Sequence, residues 1–266
     1  MKKLYISADI EGTCGITAWE ETDAGGRNYD YFCQQMTREV SAAINGAQEV
    51  GYVSTVKDAH DSARNLRPMD LPASATLIRG WIRDLYCMMG GLDQEAFDAV
   101  AFTGYHAHAM SAGNPLSHTM TRSVYQVHIN GTPASEFRIN AYMAAYLGVP
   151  IVFLSGDADV CAEAKALIPN ITTVVSKEGL GNAVKSRHPQ VVCEDIQASI
   201  KQALSGDISA CKLALPEHFS IQISYVDWTV AQRYAYYPGV SRVDNKTIRF
   251  ETDDYYEAMR FMHFCL

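Results

Sequence analysis

Short apolar runs alternate with longer amphipathic segments along roughly the first 210 residues. The apolar runs stop at polar or glycine-containing loops, as buried strands do, and they cover residues 4–8, 53–57, 75–78, 97–104, 149–155 and 172–175. The amphipathic segments carry apolar residues at helical spacing, and they cover residues 29–50, 136–147, 158–168 and 190–204. This alternation predicts a doubly wound α/β fold with a mostly parallel sheet.

The pattern changes after Gly206. Residues 219–225 and 247–251 alternate between apolar and polar positions, which is typical of antiparallel strands with one exposed face. Residues 253–264 return to helical spacing. The end of the chain therefore predicts a small α+β arrangement.

We accordingly predict two units, an α/β catalytic domain over residues 1–210 and a smaller C-terminal α+β unit over residues 211–266. The pair Asn130-Gly131 favours the tight turn of an antiparallel hairpin. The hairpin near residues 121–135 is a candidate to pack with the C-terminal unit rather than with the main sheet.

Composition and charge narrow the classes of partner. The 266 residues are 48% hydrophobic with a formal net charge of −8, which argues against nucleic acid or an anionic membrane as the main partner. The first apolar run ends at Asp9, too short for a signal peptide, and no run approaches the roughly 18–20 apolar residues that cross a bilayer, so we expect a cytoplasmic protein. The seven cysteines contain no CxxC pair, which favours buried thiols over disulfides or a zinc ribbon.

Two carboxylates follow the first predicted strand directly. Asp9 and Glu11 stand at positions i and i+2, so both face one side if the backbone stays extended. Ligands of doubly wound sheets bind beyond the carboxyl ends of the strands. Because two adjacent ionised carboxylates repel each other, this pair indicates a bound cation. Taken alone, however, such a pair is more often two unrelated acids in a solvated loop.

Two further strand ends each supply an imidazole. His60 follows residues 53–57, and Asp58 is placed to orient its ring. His106 follows residues 97–104, with His108 as the alternative ligand two positions later. A single histidine in a loop is usually a surface or packing residue. Three strand ends that all deliver metal-binding side chains to one sheet edge instead predict a common site.

Two more candidates come from the segment that follows. His118 stands between two hydroxyl residues and is either another ligand or a base and proton donor held off the metal. Glu136 opens a predicted helix, a position that acids also favour because of the helix dipole.

Charge balance and ligand type point to two metal ions. Three carboxylates, from Asp9, Glu11 and Glu136, together with one bridging hydroxide would neutralise two divalent cations, as a partly buried site requires. Mixed imidazole and carboxylate ligands suit zinc better than magnesium or calcium. We therefore expect two divalent ions, zinc first among them, in a hydrolase of small amides.

The segments around these residues resemble the D-aminopeptidase (DppA-like) zinc metallopeptidases. The resemblance runs from residue 4 to about residue 175, and the matching segments are residues 7–12 (SADIEG), 58–60 (DAH), 104–107 (GYHA), 117–120 (SHTM), 129–136, 140–142 (NAY) and 149–157. It implies that two zinc ions are held by Asp9, Glu11, His60, His106 and Glu136. It further implies that Asp9 bridges the ions, that His106 rather than His108 is a ligand, and that His118 is catalytic without binding metal.

The resemblance also implies a substrate and an assembly. Its members release N-terminal D-residues, especially D-alanine, from short peptides, and they form a ten-subunit ring, a decamer. Two residues of this chain depart from the family pattern. Lys57 replaces a neutral residue beside the metal loop, and Arg138 follows Glu136 closely enough to alter the pocket.

Two other functions fit part of the pattern. A metallohydrolase of L-peptides, other small amides or phosphoesters would use the same metals, although a phosphoester site favours a Gly-rich anion cradle and only Arg122 and Arg138 offer positive charge. A non-catalytic peptide-binding protein would be expected to lack a ligand or the proton-transfer residue, and all six candidate positions here carry competent groups.

Overall fold

The computed structural model describes all residues from Met1 to Leu266. In chain order its strands and helices are β1 Lys2–Ala8, α1 Tyr29–Gln48, β2 Tyr52–Asp58, β3 Thr76–Ile78, β4 Ala99–Tyr105, β5 Val124–Ile129, β6 Thr132–Pro133, α2 Glu136–Tyr146, β7 Ile151–Asp157, α3 Ala158–Leu167, β8 Thr172–Leu180, β9 Ala183–Ser186, α4 Pro189–Ser205, β10 Phe219–Tyr225, α5 Trp228–Tyr234, β11 Ser241–Arg242, β12 Thr247–Thr252 and α6 Tyr255–Cys265. None of the helices is both long and apolar enough to cross a membrane.

A seven-stranded sheet forms the main layer, in the order β3-β2-β1-β4-β7-β8-β9. All neighbouring strands are parallel except the last pair, β8 and β9. The α/β fold class predicted from the sequence is confirmed. Every residue of β4 and β7 is buried, because helices cover the sheet: α1 packs against α4, and α2 contacts both β4 and α3. The strand order reverses between β1 and β4, which makes that gap the topological switch point.

A second, antiparallel sheet has the order β11-β12-β10-β5-β6. The hairpin of β5 and β6 belongs to this sheet, and β5 pairs with β10 with Ile129 opposite Ile221. Helix α6 packs on β10 and β12 and contacts α2, and the hydroxyl of Tyr255 donates to the carbonyl of Ile139 at 2.6 Å. The division of the chain into units at residue 210 stays a prediction.

The sequence patterns did not predict β9, α5 or the two-residue strand β11. Strand β8 runs well beyond residues 172–175 and turns into the antiparallel partner β9, although Lys177 and Glu178 interrupt its apolar pattern. Lys177 stays inside because its ammonium donates to two backbone carbonyls. Helix α5 has only seven residues, and it begins where Asp227 accepts a hydrogen bond from the amide of Thr229.

At the switch point, the backbone of the loop after β1 packs directly against the end of β4, and this close approach requires glycine. The amide of Gly12 donates to the carbonyl of Gly104 at 2.8 Å, and a Cβ at Gly12 would lie 1.7 Å from the carbonyl oxygen of Tyr105. A Cβ at Gly156, on β7, would meet the same oxygen at 2.0 Å. The loop after β1 therefore sits in place only if these positions carry no side chain.

We expect Gly12→Ala to lower the free energy of unfolding by about 2–3 kcal/mol, since the backbone of the β1 loop must move to admit the methyl group. Gly206→Ala is the matched control, because a Cβ there meets nothing closer than 3.7 Å at a negative φ. Urea unfolding measures both. Equal stability of the two variants would show that the close approach at Gly12 does not constrain the fold.

Candidate metal centre

Three adjacent strands of the main sheet deliver four of the predicted site residues to one crevice. Asp9 and Glu11 follow β1, His60 follows β2 and His106 follows β4. These strands are neighbours in the order β2-β1-β4, and parallel strands end at the same edge. The crevice at the switch point is therefore built from the loops that carry these side chains.

The remaining two residues, His118 and Glu136, lie just before and just after the β5–β6 hairpin, which belongs to the second sheet. Glu136 is the first residue of α2. Ser135 caps this helix, because its hydroxyl oxygen accepts a hydrogen bond from the amide of Arg138 at 3.1 Å. The amide of Met120 donates to Glu136 Oε1 at 2.7 Å. This hydrogen bond joins the start of α2 to the segment that carries His118.

All six predicted residues come together, and they form two groups that could each hold a metal ion. One consists of Asp9, Glu11 and His60, and the other of His106, His118 and Glu136. In each group the potential ligand atoms lie within 4.8 Å of one another.

The carboxylate of Asp9 lies between the two groups. Its Oδ1 is 3.4 Å from His60 Nδ1, and its Oδ2 is 3.5 Å from His106 Nε2. His60 Nδ1 also lies 3.1 Å from Glu11 Oε2, while His106 Nε2 lies 3.5 Å from Glu136 Oε2. Each oxygen of Asp9 thus faces a different cluster, as a carboxylate that bridges two ions would.

Backbone carbonyls select the ring nitrogens that face the clusters. The carbonyl of Thr22 lies 3.1 Å from His60 Nε2 and accepts its proton, and the carbonyl of Ala107 lies 2.9 Å from His106 Nδ1 and does the same. In the neutral rings, the lone pairs of His60 Nδ1 and His106 Nε2 therefore face the carboxylate clusters. Such a second hydrogen bond fixes the tautomer and orientation of imidazoles that bind metals.

Several polar atoms in the crevice are buried without a hydrogen-bond partner. They are Asp9 Oδ2, both carboxylate oxygens of Glu11 and His106 Nε2. Burial and the neighbouring Glu11 carboxylate raise the pKa of Asp9 to about 8. Unpaired buried acceptors are costly, and divalent cations would satisfy all four atoms at once. The residues present therefore fit a metal pair.

His118 lines the crevice beside the second cluster. Its ring stacks on that of His106, with 4.4 Å between the ring centroids. It also packs in a T-shaped arrangement with Trp19, with 5.1 Å between the centroids. Its Nδ1 lies 3.0 Å from the carbonyl of Leu116, which leaves Nε2 facing Glu136 Oε1 at 3.5 Å. Burial and the nearby His106 lower the pKa of His118.

Two sequence predictions about neighbouring residues are wrong. Asp58 does not orient His60, because its carboxylate accepts three hydrogen bonds from Asn65 and Leu66 and so holds the loop backbone instead. Arg138 does not alter the pocket, because its guanidinium pairs with Glu163 of α3 at 2.7 Å. His108, the alternative to His106, lies outside the crevice and lines a separate cavity with Arg138.

Lys57 and Lys177 support the loops that carry the site, although neither faces it. The ammonium of Lys57 donates to the carbonyls of Asp58 and Gly80 and lies 4.5 Å from the ring of Trp81. The ammonium of Lys177 donates to the carbonyls of Glu11 and Ile16. The sequence analysis did not predict that Lys177 supports the loop after β1. The one hint in the sequence was a lysine directly after the apolar strand residues 172–175 and Ser176.

A cavity of about 310 Å³ opens above the two clusters. The lining residues are Asp9, Glu11, Trp19, Asp23, Ala59, His60, Asp61, Trp81, Met88, His118, Met120, Thr121, Arg122 and Glu136. Trp81 is fixed by a hydrogen bond from its Nε1 to the carbonyl of Asp61 at 2.5 Å. The cavity is therefore lined by carboxylates, imidazoles and two tryptophans, and its volume suits a small ligand.

Comparisons with known proteins agree over the whole chain. A family model described as D-aminopeptidase matches residues 1–264. The D-aminopeptidase of Bacillus subtilis (strain 168) is 32% identical over 263 residues, which are 98% of this chain and 95% of that protein. A solved structure of a Bacillus subtilis protein, described as the Zn-dependent D-aminopeptidase DppA, a self-compartmentalizing protease, superposes with a TM-score of 0.92 over 99% of this chain and 96% of that one. The chain is therefore a peptide hydrolase of the D-aminopeptidase family.

Proposed function

We propose that the protein is a two-metal zinc aminopeptidase that releases N-terminal D-amino acids, especially D-alanine, from short peptides. The proposal of two metal ions rests on the placement of Asp9. Its Oδ1 lies 3.4 Å from His60 Nδ1 in one cluster, and its Oδ2 lies 3.5 Å from His106 Nε2 in the other. The names of the relatives support zinc and the D-configuration.

Each cluster would hold one ion. Asp9 Oδ1, Glu11 and His60 Nδ1 would bind the first, and Asp9 Oδ2, His106 Nε2 and Glu136 the second. When bound, such a pair lowers the pKa of a water molecule and polarises the scissile carbonyl. Carboxylate and imidazole ligands favour zinc over magnesium or calcium.

His118 is the proposed catalytic residue and is not a ligand in this assignment. Because Nδ1 donates to the carbonyl of Leu116, Nε2 is left as the proton acceptor that faces the cavity. A histidine placed in this way would take a proton at Nε2 from the attacking water molecule and give it to the nitrogen of the departing amine as the amide bond breaks. Stacking on His106 and the edge of Trp19 hold the ring in that orientation.

The crevice walls would exclude bulk water from the substrate. Trp19 and Trp81 flank the cavity, and each carries a cation on its ring, Arg122 in one case and Lys57 in the other. These stacks restrict the motion of the indoles, so the cavity is held open at a size that admits a short peptide.

We also propose that the chain assembles into a closed homo-oligomeric ring, with a decamer as the expected form. The solved Bacillus subtilis relative is described as self-compartmentalizing, and an assembly of that kind would limit access to small or unfolded peptides. The cytoplasmic location expected from the sequence remains a prediction.

The stereochemical part of the proposal predicts that the zinc-loaded protein hydrolyses D-alanine amide at least about tenfold faster than L-alanine amide, measured as kcat/KM by alanine release. A tenfold ratio corresponds to about 1.4 kcal/mol between the two transition states. Equal rates would remove the D-specific assignment and leave a metallo-aminopeptidase of broader specificity.

The assignment of residues predicts different defects for two variants. Asp9→Ala should lose both zinc ions, because each cluster loses a ligand, and His118→Ala should keep both ions while kcat falls by about 10²–10⁴-fold. Metal content is measured by inductively coupled plasma mass spectrometry after gel filtration. His128→Ala, on β5 and outside the cavity, is the control and should resemble the wild type.

Two results would contradict these roles. Two tightly bound zinc ions in Asp9→Ala would rule out the bridge, and undiminished turnover in His118→Ala would rule out the proton transfer.

A further inference from the structure

Arg122 is held at the mouth of the cavity by an aromatic stack. Its guanidinium carbon lies 4.5 Å from the centroid of the Trp19 ring, and the same indole packs in a T-shaped arrangement with His118, with 5.1 Å between the ring centroids. Arg122 is also the only arginine or lysine among the residues that line the cavity. A fixed positive charge therefore lies within the same pocket as the metal clusters.

The hydrogen-bonding groups of this guanidinium are unused. Arg122 makes no hydrogen bond within the protein, and its one charged neighbour is Asp23, with 3.5 Å between Nη2 and Oδ2. A guanidinium that stacks on an aromatic face keeps its N–H groups in the exposed plane, where they can bind a carboxylate with two parallel hydrogen bonds. The side chain is 58% exposed, so a ligand can reach it.

The stability of the fold does not account for this arrangement. An exposed ion pair at 3.5 Å contributes little to stability, and the same holds for a single exposed cation–π contact. The positive charge of Arg122 is not needed to neutralise the metal site either, because the two proposed cations would already offset the negative charges of the buried carboxylates. The charge is thus available to a ligand.

We infer that Arg122 binds the C-terminal carboxylate of a dipeptide substrate whose amino end lies at the metal clusters. The inference rests on the proposed aminopeptidase function and adds a substrate class to it, namely dipeptides with a free carboxylate. A dipeptide carries its two charged ends only about 7 Å apart when extended, and the cavity of about 310 Å³ contains both the acidic clusters and the guanidinium.

The test compares three substrates of the zinc-loaded enzyme. They are D-alanyl-D-alanine, its C-terminal amide, and D-alanyl-D-aspartic acid with an amidated terminus, which moves the carboxylate to the side chain. We expect the free dipeptide to have a KM about 10–100-fold below that of its amide, as a charge-assisted hydrogen-bond pair provides. The aspartyl amide should resemble the simple amide.

The variants separate binding from catalysis. Arg122→Ala should raise the KM of the free dipeptide to that of the amide, and any fall in kcat caused by a less restrained Trp19 should be equal for the two substrates. Arg122→Lys should restore part of the difference in KM. Arg233→Ala is the matched control, since it removes an arginine that stacks on Tyr234 away from the cavity. Thermal unfolding and zinc content should be unchanged in all three variants.

Three results would overturn the inference. They are equal KM values for the free dipeptide and its amide in the wild type, an equal rise in KM for both substrates in Arg122→Ala, or an aspartyl amide that binds as well as the free dipeptide. Calorimetric binding of the dipeptide and its amide provides a readout that does not need turnover. If no substrate is hydrolysed but binding still depends on Arg122 and on the free carboxylate, the proposed function fails and the binding site stands.

Discussion

The structure depends on one electrostatic constraint, the burial of three carboxylates within one crevice. Asp9, Glu11 and Glu136 are each less than 5% exposed, and the ion-pair partners of their carboxylate groups are histidines rather than lysines or arginines. Charges buried in this way destabilise a protein unless cations compensate them. The proposed metal pair would supply the compensation, with Asp9 shared between the ions. The crevice lies where the strand order of the main sheet reverses. This fold can hold such a site there because the ends of β1, β2 and β4 meet at that point.

The surroundings of the site keep that arrangement rigid. Glycine at position 12 lets the β1 loop lie against the carbonyl of Tyr105, and the ammonium of Lys177 holds the same loop through the carbonyls of Glu11 and Ile16. The carbonyls of Thr22 and Ala107 then fix the histidine tautomers. Preorganised ligands of this kind reduce the cost of metal binding. The same stiffness extends to the cavity wall through Trp19, which connects His118 to Arg122.

The sequence predicted those parts of the site that depend on local order. Residues after a buried strand must lie at a sheet edge, so Asp9, Glu11, His60 and His106 could be placed together without a structure. Glu136 and His118 lie on either side of the β5–β6 hairpin of the second sheet, so strand ends could not place them in the crevice. Their residue types and the charge balance made them candidates, and the family resemblance assigned their separate roles. The role expected of Asp58 was wrong because backbone amides of its own loop compete for the carboxylate. Lys177 and the partner strand β9 could not be predicted, since long-range contacts stabilise a charged residue that local patterns place outside.

The central claim is that Asp9 is shared by two metal ions. Crystals of the zinc-loaded protein, with anomalous difference maps collected on either side of the zinc absorption edge, test it most directly. The account predicts two zinc peaks, one next to Asp9 Oδ1, Glu11 and His60 and the other next to Asp9 Oδ2, His106 and Glu136. A single peak in zinc-saturated crystals, or two peaks of which one lies away from Asp9, would contradict it.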